Sequence, residues 1–271
     1  MSASLGGTVL VTGASSGIGA AFARGFGRTA AQLVLVARRV DRLEALADEL
    51  RGVRPELRVH VWDCDLADPR ATEALAARAL AELGGVDVLV NNAGFGDQNF
   101  LEHADAARLQ RMIALNITAP TLLCRALVPG MVARGHGGVL NVSSGFGITY
   151  LPGFSVYVGT KHYVTGFTDT LRAELAGTGV VVTQVLPGPV ATEFHEQAQG
   201  TVPVTPPALA TVTAAHCAEV AIAALQAGRA WAVPGFVYGL ASWGARLVPR
   251  WLWRRITAVF ARSLRRRLPR P

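Results

Sequence analysis

The chain has 271 residues, 51% hydrophobic and 17% charged, enough apolar material for one large core or two small ones, which excludes a disordered bulk. The formal charge of +7 is not spread over a basic surface: residues 246–271 hold nine Arg and no acid, so residues 1–245 sum to −2 and the body is not expected to bind nucleic acid. Three well-separated cysteines without a CxxC pair, and six histidines without ligand spacing, exclude a disulfide framework and a metal motif.

Short apolar runs alternate with longer stretches of helical period, and this predicts repeated βα units. Thr8–Thr12 reads as a strand followed by a helix over 17–28, and Gln32–Ala37 as a second strand with a helix over 41–51. Arg58–Trp62 and a helix over 69–83 come next, then a fourth strand over 86–91. A long helix is expected over 106–134, bent or split near Pro120 because proline lacks the amide N–H. A fifth strand over 138–142, a helix over 155–176 and a sixth strand over 180–186 follow. Residues 191–211 form a proline-containing variable segment, and a helix over 214–227 with a short strand over 230–233 closes the main body. The strands are apolar throughout rather than alternating, as a parallel sheet covered on both faces requires. The expected fold is therefore α/β, a doubly wound, Rossmann-like parallel sheet of about seven strands with helices on both faces. A single domain, residues 1–245, carries a C-terminal helical extension over 246–271. The opening Met1-Ser2-Ala3-Ser4 leads straight into a strand, so no secretory leader is expected and a cytoplasmic setting follows. The longest uncharged run, Ala230 to Ala245, falls short of a membrane span.

Three local patterns carry chemistry. The first is Thr12-Gly13-Ala14-Ser15-Ser16-Gly17-Ile18-Gly19, placed between the first strand and the first helix. Glycines there allow a tight turn and close backbone approach to a pyrophosphate, while the helix N-terminus offers free N–H groups and a positive dipole end. Gly13, Ser15, Ser16, Gly17, Ile18 and Gly19 are the candidate phosphate cradle. The second is Arg38-Arg39 at the end of the second strand, where an acid would bind the ribose 2′-hydroxyl of NAD and arginine suits the 2′-phosphate of NADP. NADP rather than NAD is the expected cofactor, with Arg38 first. The third is Tyr157 followed four residues later by Lys161, the one lysine among 26 basic Lys and Arg side chains. Four residues is about one helical turn, so phenol and ammonium share a face. A cation there lowers a tyrosine pKa from about 10 toward the operating pH, which makes a general acid/base.

Together these residues resemble the short-chain dehydrogenase/reductase family over about residues 8–233. The TGASSGIG turn, Asp65 after the third strand, Asn91-Asn92-Ala93-Gly94 after the fourth, Asn116, Ser144, Tyr157 with Lys161, and Pro187-Gly188-Pro189-Val190 with Thr192 occur in the family's order. The resemblance implies that Tyr157 exchanges a proton with a carbonyl or alcohol and that Lys161 supports it and holds the nicotinamide ribose. It implies that Ser144 hydrogen-bonds the substrate oxygen, with Ser143 as the alternative hydroxyl, and that Asn116 positions a water in a proton relay. It further implies that Asp65 and Leu66 contact adenine, that Asn92, Ala93 and Gly94 line the adenosine ribose, and that Pro187, Gly188, Val190 and Thr192 flank the nicotinamide and phosphate. The implied activity is NADP(H)-dependent interconversion of a carbonyl and its alcohol without a metal, in a homodimer or homotetramer.

The substrate is expected to be a small apolar ketone, aldehyde or alcohol, lipid- or steroid-like, because Phe95, Phe146, Phe154 and Phe194 fall near these motifs and no cation is an evident anchor. Residues 191–211 would form the lid. In the tail, Leu252, Trp253, Ile256, Val259 and Phe260 share one helical face and Arg254, Arg255, Arg262, Arg265 and Arg266 the opposite arc. That pattern suits an anionic membrane surface, with packing on the domain or on a partner subunit as the alternative. A non-catalytic NADP-binding sensor or membrane-associated scaffold is the competing reading of the whole chain.

Overall fold

The computed structural model describes residues 6–194, 198, 200–202, 211–235, 239, 244 and 247–266. The remaining parts of the expected lid, and Arg246, Arg267 and Arg270 of the tail, lie outside the described residues. The strands are β1 (Thr8–Thr12), β2 (Gln32–Ala37), β3 (Arg58–Asp63), β4 (Val88–Asn91), β5 (Gly137–Val142), β6 (Val180–Val185) and the short pieces β7 (Val190–Ala191), β8 (Val212–Thr213) and β9 (Trp231–Ala232). The helices are α1 (Gly17–Gly27), α2 (Val40–Val53), α3 (Pro69–Leu83), α4 (Ala106–Ile113), α5 (Ala119–Arg134), α6 (Ser155–Glu174), α7 (Ala214–Gln226) and α8 (Arg250–Arg265). Seven strands form one parallel sheet in the order β3-β2-β1-β4-β5-β6-β9, and β7 pairs with β8 beside it.

The continuous apolar runs are explained by what covers the sheet. Successive strand residues point to opposite faces. Val9 and Val11 of β1 enter one core with Phe22 and Phe26 of α1, Leu43 and Leu46 of α2 and Cys217 and Ala221 of α7. Leu10 enters the other with Leu75 of α3 and Leu123, Leu127 and Met131 of α5. Phe22 and Phe26 are wholly buried, each contributing about 1.5–3 kcal/mol relative to exposure. The three cysteines are buried in these two layers, and burial pushes the Cys64 thiol up to about 11 and those of Cys124 and Cys217 up to about 12.

Strand order reverses between β1 and β4, which leaves a crevice at the carboxyl ends of the sheet. Beside this switch point a buried amide chain joins β4, β5 and α6: Asn91 Nδ2 donates to Asn141 Oδ1 at 2.9 Å, and Asn141 Nδ2 to Thr168 Oγ1 at 2.9 Å.

The long helix is interrupted beside Pro120, as expected: residues Ala114–Thr118 form a π turn, Thr118 keeps helical φ and ψ, and Pro120, which lacks an N–H, follows within α5. The widened turn frees Asn116 to reach outside its own helix, the usual association of π turns with sites.

The tail helix departs from its expected face. Trp253 turns from the predicted stripe toward the domain, where its indole N–H donates to the Tyr150 carbonyl at 3.4 Å. Leu264 is buried against Phe100 and Val202, and Ala261 packs beside it. Thr257 is also buried, its hydroxyl donating to the Trp253 carbonyl at 2.9 Å. Leu252, Ile256, Val259 and Phe260 remain exposed. An indole needs an acceptor when buried, and periodicity alone does not count that need.

Candidate active site

The crevice holds a cavity of about 530 Å³. Its floor is the glycine turn. Gly13 has φ +67°, and a Cβ there would stand 2.9 Å from the Ala93 Cα. A Cβ on Gly19 would lie 2.1 Å from the Gly13 carbonyl oxygen, so no larger residue fits between turn and helix. Gly19 therefore shapes the cradle from behind without lining the cavity, whereas Gly13, Ser15, Ser16, Gly17 and Ile18 all line it. Asn92 fastens the turn to β4: its Nδ2 donates to the Thr12 and Gly13 carbonyls at 2.9 and 3.3 Å, and Thr12 Oγ1 accepts from the Asn92 and Ala93 N–H groups. Ser16 precedes α1 without a side-chain capping bond, so the first-turn N–H groups, which have no intrahelical acceptor, face the cavity.

One end of the cavity is walled by Arg38, Arg39, Asp65 and Leu66. Arg39 folds over the turn, with Nη2 donating to Ser16 Oγ at 2.7 Å and to Ser15 Oγ at 3.2 Å. Its Nη1 pairs with Glu193 at 2.9 Å, and Arg42 takes the other oxygen of the same carboxylate. Arg42 and Arg39 hold the Glu193 carboxyl below its ordinary range by hydrogen bonding. Asp65 accepts from the Ala67 N–H at 3.1 Å and pairs with Arg111 at 2.9 Å. Arg111, Arg42 and Glu193 are absent from the expected set. An acid immediately after Thr192 was a visible signal, but its pairing with residues some 150 positions earlier was not.

The opposite wall gathers the other motifs. Asn92, Ala93 and Gly94 line it with Pro187, Gly188, Val190 and Thr192, the last beside Gly17, where an added Cβ would meet the Thr192 methyl at 3.0 Å. Tyr157 and Lys161 project from α6, both at 6% exposure. The Lys161 ammonium lies 5.7 Å from the Tyr157 ring centroid and donates to the Val142 carbonyl at 2.9 Å. Burial lowers the Lys161 pKa from 10.5 to about 8. Asn116 stands behind this pair and does not line the main cavity: its Oδ1 accepts from the Phe95 N–H at 3.2 Å, and its Nδ2 donates to the Phe95 carbonyl at 3.0 Å and Thr160 Oγ1 at 3.1 Å.

The two serines after β5 are distinct. Ser143 is buried, its hydroxyl bonded to Thr165 Oγ1 at 2.7 Å and to the Lys161 carbonyl at 3.2 Å, which ties β5 to α6. Ser144 accepts from the Phe146 N–H at 3.1 Å and lines the cavity. Around Tyr157 the walls are aromatic. Phe146 meets its ring edge-on at 6.1 Å between centroids, Phe194 lies at 5.6 Å, and Phe154 packs on Phe146 at 5.2 Å. Phe95 completes this group and carries the Arg108 guanidinium over its ring at 4.9 Å. Arg108 itself pairs with the buried Asp97.

A family model for short chain dehydrogenases matches residues 7–202. An uncharacterized oxidoreductase of Mycobacterium tuberculosis is 38% identical over 183 residues, 66% of this chain and 54% of that protein, so the match spans about half of the relative. A sulfoacetaldehyde reductase of Chromohalobacter salexigens is 38% identical over 188 residues, 69% of this chain and 73% of that one. Among solved structures, a short-chain dehydrogenase of Sphingobium yanoikuyae in complex with NADPH is similar at TM-score 0.77 and 34% identity, covering 88% of this chain and 93% of its own. A member from Burkholderia phymatum in complex with NAD gives TM-score 0.77 at 25% identity, covering 88% and 92%. With the matched residues reaching from the first strand past the Tyr157 helix, the chain belongs to the short-chain dehydrogenase family.

Proposed function

We propose that the protein is an NADP(H)-dependent reductase of apolar ketones or aldehydes, running in reverse on the corresponding alcohols. The observation that carries this reading is the meeting of Tyr157, Lys161 and Ser144 at one aromatic-walled end of a cavity whose other end presents Arg38 and Arg39. The cofactor fits that cavity: glycine turn and uncapped helix N-terminus for the pyrophosphate, arginines for a 2′-phosphate, Asp65 and Leu66 beside the adenine, and the 187–192 segment beside the nicotinamide. When bound, NADPH supplies the hydride.

The chain's own residues handle the proton and the charge. The Tyr157 phenol donates a proton to the carbonyl oxygen while the Ser144 hydroxyl donates a hydrogen bond to the same oxygen. The Lys161 ammonium favours the resulting phenolate. Lys161 also holds the nicotinamide ribose, and Asn116, fixed on Phe95 and Thr160, closes the wall behind it and positions the relay water. Phe95, Phe146, Phe154 and Phe194 exclude bulk water and select an apolar substrate. Arg108, whose guanidinium lies over Phe95, is engaged by Asp97, which argues against its anchoring an anionic substrate. A sensor or scaffold role does not require this convergence of acid, cation and hydroxyl.

The exposed Leu252, Ile256, Val259 and Phe260 stripe of α8, bordered by Arg254, Arg255 and Arg262, fits an anionic lipid surface. Resemblance to the family points to a homodimer or homotetramer through the long helices α5 and α6. NADPH oxidation by the purified protein with apolar carbonyls, and not with carboxylated analogues of equal size, tests the central reading. Turnover confined to carboxylated carbonyls would overturn it. Flotation of the full chain with anionic vesicles, abolished by replacing Arg254, Arg255 and Arg262 with Gln, tests the tail. Equal flotation with zwitterionic vesicles would overturn its electrostatic part.

A further inference from the structure

The Glu193 carboxylate lies where Arg39, which lines the adenosine end of the cavity, and the neighbouring Arg42 converge. Its Oε2 is 2.9 Å from Arg39 Nη1, and its Oε1 is held by Arg42. The same Arg39 reaches Ser15 Oγ and Ser16 Oγ with its other nitrogens. Two guanidiniums around one anion, one of them anchored on the Ser15 and Ser16 hydroxyls, form a phosphate-type site, because phosphate oxygens accept the same charge-assisted bonds as a carboxylate and offer more of them. We propose that Glu193 is a specificity-determining residue, an internal anion that competes with the cofactor's 2′-phosphate for Arg39 and Arg42. This rests on the NADP reading above.

Glu193 follows Thr192, whose methyl packs beside Gly17, and precedes Phe194, whose ring lies 5.6 Å from that of Tyr157. The Phe194 N–H donates to Thr192 Oγ1 at 3.3 Å. A 2′-phosphate that takes the arginines displaces Glu193 from them. A dinucleotide ending in a 2′-hydroxyl leaves the carboxylate on its arginines. Discrimination then comes from the attraction of Arg39 and Arg42 for phosphate, reduced by the carboxylate that must be displaced.

Both ion pairs are more than a third exposed, so each is a weak contact, worth no more than about fivefold in an equilibrium. Glu193→Gln on the full chain should keep the fold, since the side chain is partly exposed and its neighbours are not core. Dissociation constants of NADPH, NADH, 2′,5′-ADP and 5′-AMP are measured for wild type and variant. The expected result is a gain of about 2- to 25-fold in affinity for NADPH and 2′,5′-ADP, with NADH and 5′-AMP changing less than twofold. An equal gain for all four ligands would make Glu193 a general electrostatic repellent and overturn the proposal, as would no gain for any. The cofactor reading is tested separately by the wild type: preference for NADH over NADPH there overturns the NADP assignment, whereas the variant-to-wild-type ratio for 2′,5′-ADP judges Glu193 whichever dinucleotide is preferred.

Discussion

Lys161 gives the sharpest physical prediction. Its ammonium is buried, and burial takes its pKa from 10.5 down to about 8. Below pH 8 the amine is protonated in both folded and unfolded chains, and the cost of burying the charge is fully present. Between pH 8 and 10.5 the unfolded chain binds a proton that the cofactor-free native protein does not, so stability rises with pH through that window. The fall of about 2.5 in pKa corresponds to a gain of about 3 kcal/mol when the window has been crossed. Lys161→Met, a neutral side chain of similar length, removes the titration. Urea unfolding of both cofactor-free proteins from pH 7.5 to about 10 isolates the effect as the wild-type-minus-variant difference, because other groups titrate equally in both. That difference should shift in favour of the wild type by roughly 2–3 kcal/mol as pH rises. A flat difference would refute the buried-charge argument, and with it the proposal that this cation acts on Tyr157 from a desolvated position. The same loss of charge predicts that kcat/KM for carbonyl reduction falls on an alkaline limb beginning near pH 8.

Other outcomes follow from single contacts. Gly19→Ala places a Cβ 2.1 Å from the Gly13 carbonyl and should weaken dinucleotide binding at least tenfold, measured by titration of nicotinamide fluorescence; unchanged affinity would mean the turn can relax. Arg38→Asp should move cofactor preference toward NADH, read as the ratio of kcat/KM values, and an unchanged ratio would remove Arg38 from the phosphate site. Leu264→Ala deletes the α8 contact with Phe100 and Val202 and should cost about 2 kcal/mol in denaturant unfolding, the low end for a small satellite core; no loss would mean that the helix is not anchored there.

Much of the fold was legible because its signals are local. Apolar runs such as Val9-Leu10-Val11 are buried on both faces, and a buried parallel strand leaves that signature without reference to any other part of the chain. The glycine turn and the four-residue step from Tyr157 to Lys161 are equally local. What the sequence did not yield depends on partners distant along the chain. Pro120 marked the interruption of the long helix, but not the π turn beside it or the partners of Asn116, Phe95 and Thr160, which lie across the fold. Periodicity grouped Trp253 with the apolar stripe of the tail, but an acceptor at Tyr150 turned it inward. In sequence Arg38 came first of the two arginines; only the fold places Arg39 between two serines and Glu193.

The central claim is that the Tyr157 phenol moves the proton. Single-turnover oxidation of bound NADPH by an apolar ketone, compared between wild type and Tyr157→Phe at equal cofactor occupancy, addresses it directly. The variant retains the ring packing against Phe146 and Phe194 and loses only the hydroxyl. A fall of about 100-fold or more in the rate is expected; a rate within twofold of wild type would contradict the account.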